Sequence, residues 1–325
     1  MSKWRVLITE PIHPVGTDTL APVASWFHAS GYGAQTLAEE MAGVDAVILR
    51  ARGYVGPELM EAAPWLRVIG RHGVGVDNVD VEAATERGIW VVNTPEANAE
   101  AVAEHVFAMM LAFSRRIVQC DRATRKGDWD YRNRDFGFEV LGKTLGIVGM
   151  GQIGSRVAAI GMRAFSQQVL YTDAVARPEV EREFGARRVS LEELLAGADI
   201  VTVHVPATPE TRGLLGRKQI ARMRPGALFI NCSRGAVVDE EALVAALESG
   251  HLGGACLDVF AVEPVPGDSR LLRLPNVLLS PHKAGQTEES MRRMALVAED
   301  VVRVLQGETP RFPVNRPPRP REVRT

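Results

Sequence analysis

The sequence predicts an α/β protein of two domains, each a parallel sheet flanked by helices. Three observations carry that reading. Short apolar runs alternate with helix-like segments along most of the chain, the pattern of strands joined by helical crossovers. The length, 325 residues, exceeds the usual size of one domain. One strand–helix junction carries Gly149, Gly151 and Gly154 in the spacing G-x-G-x-x-G.

That junction organises the second domain. Leu145 to Val148 read as a buried strand, and Ile153, Val157, Ala158 and Ile160 open a helical pattern behind the glycines. Glycine there permits a tight turn, close backbone approach to a pyrophosphate, and close helix–strand contact. The pyrophosphate would rest on the N–H groups of the helix N-terminus. The next strand, Gln168 to Thr172, leads into Asp173, about twenty residues beyond the fingerprint, where a carboxylate accepts hydrogen bonds from the adenosine ribose. Its charge would repel a 2′-phosphate, so NAD is the expected cofactor, with Arg177 as a nearby competing phosphate reader.

In the first domain, Trp4 to Thr9, Asp45 to Leu49, Leu66 to Gly70 and Ile89 to Val92 read as strands. Leu37 to Met41, Pro57 to Ala63 and Val81 to Arg87 read as helices between them. This portion has no phosphate fingerprint. Its notable stretch is Arg71 to Asp80, a glycine-broken turn directly after a strand, whose small residues would let N–H groups face a carboxylate. An ordinary left-handed turn is the alternative.

Asn98 to Arg115 sets Val102, Val106, Met109, Met110 and Phe113 at helical spacing, a long helix leading out of the first domain. His105 within it reads as a packed or surface histidine rather than a ligand. Arg122 to Phe138 follows as a polar, irregular arm whose Trp129, Tyr131, Phe136 and Phe138 call for a surface to pack on, a partner subunit being one candidate.

Beyond the fingerprint, Ile200 to His204, Ala227 to Asn231, Gly254 to Val259 and Val277 to Ser280 read as strands. Leu191 to Ala196, Arg217 to Met223 and Glu240 to Ser249 read as helices, which completes a doubly wound sheet of five or six strands. Ligands bind such sheets at the carboxyl ends of the strands. Arg234, Glu263 and His282 each follow a strand end. A histidine exchanges a proton with a hydroxyl or carbonyl oxygen near neutral pH. A carboxylate beside it orients the ring and favours the imidazolium. An arginine offers a fixed charged fork to an α-keto carboxylate. As single residues the three have plainer readings, a phosphate contact and two loop residues.

Composition narrows the class further. With 38 basic and 40 acidic residues the formal charge is −2, so no bulk field draws the chain to nucleic acid or to a membrane surface. Cys120, Cys232 and Cys256 are scattered without metal-ligand spacing, which predicts a reducing compartment, no disulfide framework and no metal site. No cleavable leader pattern and no bilayer-length apolar run are present. Cytoplasmic is the expected location.

These motifs together resemble the D-2-hydroxyacid dehydrogenase family, within it most the phosphoglycerate dehydrogenase branch. The similarity runs from Trp4 to about Gln306 and includes Arg71 to Asp80, Asn93-Thr94-Pro95 and the segment Lys143 to Gly149. It also includes Asn231 to Gly235, Leu257 to Pro264 and Ser280 to Gly285. The resemblance implies an NAD-dependent oxidoreductase acting on the CH–OH group of a 2-hydroxy acid, with Arg234, Glu263 and His282 as its catalytic residues. It places Gly149, Gly151, Gln152, Ile153 and Gly154 along the cofactor phosphates, Asp173 on the ribose and Asp258 near the nicotinamide amide. Val205, Cys232, Ser233, Ala284 and Gly285 complete the implied cofactor site, and Val74 and Gly75 face the substrate.

The family fold implies two Rossmann-like domains, the substrate domain discontinuous: residues 1–97, then the NAD-binding domain at 98–285, then a return helix within 286–310. Residues 311–325, rich in proline and arginine, are expected to be a disordered tail. A homodimer embraced by the Arg122 to Phe138 arm is likewise implied. Many phosphoglycerate-branch members read Arg-Ser-x-Thr where this chain has Arg50-Ala51-Arg52-Gly53. Arg50 and Arg52, alternating to one side of a strand end, are expected to hold a second anionic group of the substrate, as in D-3-phosphoglycerate. A general glyoxylate or hydroxypyruvate reductase is the alternative. A redox-sensing, corepressor-like binding protein shares the fold, but the intact Arg234, Glu263 and His282 set favours an enzyme.

Overall fold

A computed structural model describes residues 4–322 of the protein. The chain divides into two compact units. One combines the residues up to Asn98 with those from Gln286 onward, and the other is Ala99–Gly285.

The first unit is a five-stranded parallel sheet: β1 Trp4–Ile8, β2 Ala24–His28, β3 Ala46–Leu49, β4 Val68–Arg71 and β5 Trp90–Val92, in the order β2-β1-β3-β4-β5. Successive residues of its central strands bury themselves on opposite faces. Leu7, Val47, Leu49 and Ile69 join the core beneath the helices Ala34–Met41, Pro57–Ala62 and Val81–Glu86. Val6, Ile8, Ala46, Ile48 and Val68 pack instead against Val297, Val301, Val304 and Leu305 of the returning chain. Gly70 allows that approach, since a Cβ there would lie 2.7 Å from Val301 Cγ2. Sequence pattern misses β2 because it is an edge strand with Ser25, Trp26 and His28 exposed, and so never forms an apolar run. It also misses the helix Pro14–Leu20. The single return helix expected within 286–310 is two helices, Glu288–Ala295 and Val297–Leu305.

The expected disordered tail is corrected over its described part. Pro313 bridges Val92, and Val314 N donates to Val91 O. The Asn315 side chain receives Val91 N–H and donates to Ile89 O. The Arg321 guanidinium donates to the carbonyls of Ala63, Leu66 and Arg87. Low apolar content predicts disorder only when polar groups lack partners. Here β5, at the other edge of the sheet, supplies unpaired backbone for the segment to bond. Residues 323–325 of that expectation lie outside the described residues.

The second unit is a seven-stranded parallel sheet: β6 Thr144–Val148, β7 Gln168–Thr172, β8 Arg187–Arg188, β9 Ile200–Val203, β10 Leu228–Asn231, β11 Gly254–Leu257 and β12 Val277–Leu279. Their order is β12-β11-β10-β9-β6-β7-β8, so the chain reverses direction across the sheet at β6. The two-residue β8 is exposed arginine and carries no apolar signal, which is why sequence pattern yields only five or six strands. Helix Ala99–Ser114 buries Val102, Val106, Met109, Met110 and Phe113 against the sheet. The expected irregular arm is partly regular: helix Ile117–Arg125 enters it, followed by a 3-10 turn at Trp129–Asn133. Phe138 packs on the core, whereas Trp129 and Phe136 are 67% and 79% exposed.

Candidate active site

The glycine fingerprint sits at the reversal point of the second sheet, where β6 ends between β7 and β9. Two of its glycines are required by the protein itself. Gly149 has φ +96°, and a Cβ there would lie 2.7 Å from Val205 Cγ1. A Cβ on Gly154 would lie 2.1 Å from Gly149 O. Gly151 is different. Its backbone is extended (φ −73°, ψ −159°), and a Cβ would meet nothing within 4 Å. Neither conformation nor packing requires glycine there, but a ligand approaching the backbone would. Gln152 and Ile153 follow as the first residues of helix Gln152–Phe165, whose N-cap has no side-chain hydrogen bond. Its leading N–H groups suit a pyrophosphate.

Asp173 closes this edge. Its Oδ2 accepts Met150 N–H at 2.7 Å and its Oδ1 accepts Val175 N–H at 2.9 Å. Two backbone donors fix the carboxylate beside the glycine turn and leave each oxygen a lone pair for ribose hydroxyls. These residues fit an adenine dinucleotide of the NAD type.

At the end of β10, buried Asn231 holds the next turn. Its Oδ1 accepts both Ser233 N–H and Ser233 Oγ–H at 2.9 Å, and its Nδ2 donates to Arg234 O at 3.0 Å. Cys232 is buried in the same turn, and burial, with Asp258 adding its charge, pushes its thiol well above the usual range. Arg234 Nη1 donates to Ser233 O. Gly235 comes so near the β11 loop that a Cβ would lie 1.9 Å from Phe260 O. That approach draws the Arg234 turn toward Glu263. Glu240 Oε2, accepting Ala261 N–H, fastens the same loop.

Glu263 and His282 meet directly, with Glu263 Oε2 2.7 Å from His282 Nδ1. Glu263 Oε1 accepts Phe260 N–H at 3.0 Å. Burial alone would raise the Glu263 carboxyl. The hydrogen bonds from His282 and Phe260 N–H, with the charges of His282 and Arg234, outweigh it and hold the carboxyl below its usual range. A carboxylate at Nδ1 fixes the proton on that nitrogen, so Nε2 is the atom placed for proton exchange. Half of the His282 side chain remains exposed.

His282 has φ +50°, a left-handed conformation that costs a non-glycine residue about 1–3 kcal/mol. Asp258 offsets it. Its carbonyl accepts His282 N–H, Oδ1 accepts Lys283 N–H and Ser280 Oγ–H, and Oδ2 accepts Ala284 N–H. Oδ2 thus keeps a lone pair for a cofactor amide, while the other bonds hold the loop from Ser280 to Gly285.

In the first unit the guanidinium groups of Arg50 and Arg52 lie against different protein partners. Arg50 Nη1 donates to Pro11 O, with Nη2 3.7 Å from Met291 Sδ, whereas the Arg52 guanidinium lies 5.2 Å above the Tyr32 ring. The strand ends at Leu49 and the chain bends, with Gly53 at φ +92°, so strand alternation stops before these residues. Glu10 Oε2 accepts both Ala51 N–H and Arg52 N–H at 2.8 Å, and Asn78 Nδ2 donates to Arg50 O and Gly53 O. Val74 is exposed, and its carbonyl accepts from Asn93 Nδ2; Gly75 follows in the same turn, partly exposed. Beside it, burial first and then the Arg50 and Arg71 charges push buried His72 down to about 3.

Glu10, Asn78 and Glu240 escape sequence reasoning because each acts by bonding backbone distant in sequence, whereas Asn231 bonds the turn that directly follows it. A polar Asn231 ending an otherwise apolar strand is the one available signal. Among the described residues, no helix is long and apolar enough to cross a membrane.

Residues 107–284 match the family described as "D-isomer specific 2-hydroxyacid dehydrogenase, NAD binding domain". A D-3-phosphoglycerate dehydrogenase of Synechocystis is 43% identical over 96% of this chain and 56% of its own length. The chain thus spans little more than half of that relative. A glyoxylate reductase of Korarchaeum cryptofilum is 40% identical over 96% of both chains. A solved structure from Thermus thermophilus, 38% identical, superposes with a TM-score of 0.87 over 96% of this chain and 100% of that one. The chain belongs to the D-isomer specific 2-hydroxyacid dehydrogenase family and carries its NAD-binding domain.

Proposed function

We propose that the protein is an NAD-dependent dehydrogenase that interconverts a 2-keto acid and its D-2-hydroxy acid. The observation that carries this reading is the His282–Glu263 pair at 2.7 Å, beside Arg234, in the unit that holds the dinucleotide turn. Bound NADH would supply the hydride. His282 Nε2 gives a proton to the keto oxygen during reduction and takes it from the hydroxyl during oxidation. Glu263 stabilises the imidazolium and fixes the ring, and Arg234 binds the carboxylate and polarises the carbonyl.

The preferred substrates are small 2-keto acids with one carboxylate, such as glyoxylate or hydroxypyruvate. Support comes from the divergence of Arg50 and Arg52, and from Glu10 occupying the two N–H groups that a second anion would seek. The test is a panel of 2-keto acids assayed with NADH, including phosphohydroxypyruvate. Turnover of glyoxylate or hydroxypyruvate above phosphohydroxypyruvate is expected. Turnover of none would overturn the dehydrogenase reading, and a clear preference for phosphohydroxypyruvate would overturn the substrate class alone.

The exposed Trp129 and Phe136 support a homodimer in which this arm is covered, to be checked by light scattering. Cys120, Cys232 and Cys256 are all unpaired, which supports the cytoplasm as the compartment.

A further inference from the structure

We propose that His105 is a positioning residue for the His282 loop, acting through Ser280 and Asp258. The inference rests on the reading of His282 as the proton-exchanging residue. His105 lies on helix Ala99–Ser114, remote in sequence from the loop it serves. Its Nε2 is 3.0 Å from Ser280 Oγ and 3.6 Å from Asp258 Oδ1.

The polarity of this chain is determined from its buried end. Asp258, 1% exposed, acts as an acceptor toward the N–H groups of Lys283 and Ala284 and toward Ser280 Oγ–H. Ser280 has one proton, and of its two acceptors the Asp258 carboxylate outcompetes the weakly accepting Met109 Sδ, 3.7 Å away. Its oxygen therefore accepts, and His105 must present Nε2–H to it. The histidine tautomer, the serine rotor and the carboxylate are thus mutually fixed, and such chains strengthen each member. Asp258 in turn bonds three consecutive residues of the loop, His282 through its carbonyl and the next two through its side chain.

His105 adds little else. The helix is already anchored by its apolar face, and about a quarter of the His105 side chain is exposed. A fold-only role would make any residue of similar bulk acceptable there. A positioning role requires an N–H donor at the Nε2 position.

The experiment measures kcat, KM, NADH affinity and thermal midpoint for His105→Leu, His105→Gln and Ser280→Ala. His105→Leu should lower kcat about tenfold, short of the ~10²-fold that a 1 Å misplacement can cost. NADH affinity by fluorescence titration and the thermal midpoint should stay near wild type. His105→Gln, which keeps an N–H donor, should recover most of the loss. Ser280→Ala cuts the same chain without altering the helix and should show a similar fall, with the His105→Leu/Ser280→Ala double variant no worse than the more impaired single one. Wild-type kcat in His105→Leu, no rescue by His105→Gln, or additive losses would each overturn the proposal. Should His105→Leu fail to fold, wild-type kcat in Ser280→Ala would overturn it equally. Absence of turnover in the unmutated protein would instead overturn the dehydrogenase reading itself.

Discussion

The two units share an architecture and differ in what they leave at their strand ends. Both are parallel sheets with helices on each face, and both reverse strand order beside an early strand, β1 in the first and β6 in the second. At β6 the chain leaves open space over Gly151 and helical N–H groups without a side-chain cap. At β1 and β3 the chain closes the corresponding position itself, with Glu10 on the N–H groups of Ala51 and Arg52. Asn78 bonds the carbonyls of the same loop. Topology makes a site available at each sheet, and loop chemistry decides which one keeps it for a ligand.

The largest expected effect lies in the second unit. His282→Ala should reduce kcat by about 10²–10⁴-fold, the usual contribution of a positioned acid–base group, with NADH binding nearly unchanged. Arg50→Ala, at a strand end of the first unit, should leave glyoxylate reduction within about tenfold, short of the ~10²-fold that a 1 Å misplacement can cost. Equal losses from the two substitutions would erase the contrast between the units.

Glycine substitutions sharpen it next. Gly151→Ala should weaken NADH binding by at least about tenfold, ~1.4 kcal/mol, while the thermal midpoint holds. Gly154→Ala should lower the midpoint, because its Cβ would lie 2.1 Å from Gly149 O. If Gly151→Ala bound NADH normally, the open space over that residue would have no functional meaning. Asp173→Ala should narrow the preference for NADH over NADPH by removing the charge that opposes a 2′-phosphate. Unchanged discrimination would shift that role to a neighbour such as Arg177.

Acid stability should treat the units alike. His72 in the first unit and His204 in the second are each pushed down to about 3, His204 by burial, and His72 by burial first with the charges of Arg50 and Arg71. A histidine with a lowered folded pKa binds its proton more readily when unfolded. Stability is therefore full above the unfolded value and falls as pH drops below it. One unit below the ordinary 6.5, each histidine should subtract about 1.4 kcal/mol. Denaturant titrations at pH 7.5 and 5.5 on His72→Gln and His204→Gln should each show a shallower loss than wild type. A wild-type slope in both would place the acid sensitivity elsewhere.

The smallest effect expected is from Glu10→Gln. The amide oxygen can still accept from Ala51 N–H and Arg52 N–H, so glyoxylate turnover should change less than about threefold, under 1 kcal/mol. A larger loss would mean that the Glu10 charge itself takes part in the site.

What the sequence makes legible follows from how locally each feature is encoded. The glycine fingerprint, Asp173, and the strand ends carrying Arg234, Glu263 and His282 are read from neighbouring residues, and the structure brings the last two to 2.7 Å. Features that depend on distant backbone stay hidden. β2 hides because an edge strand need not be apolar. The segment from Arg311 to Glu322 hides because its order comes from partners on β5 and the 63–66 turn. Arg50 and Arg52 look paired only if strand alternation continues past Leu49, and the chain bends there. His105 reads as an ordinary helix residue because Ser280, its partner, is 175 positions away.

Hydride transfer to C2 of a 2-keto acid is the central claim, and isotope transfer tests it most directly. The protein is incubated with glyoxylate or hydroxypyruvate and NADH carrying deuterium at the transferable C4 position. For hydroxypyruvate, the prediction is a D-hydroxy acid with one deuterium at C2, formed in step with NADH oxidation and slowed about 10²–10⁴-fold in His282→Ala. Product with the L configuration, or deuterium absent from C2 while NADH is consumed, would contradict it.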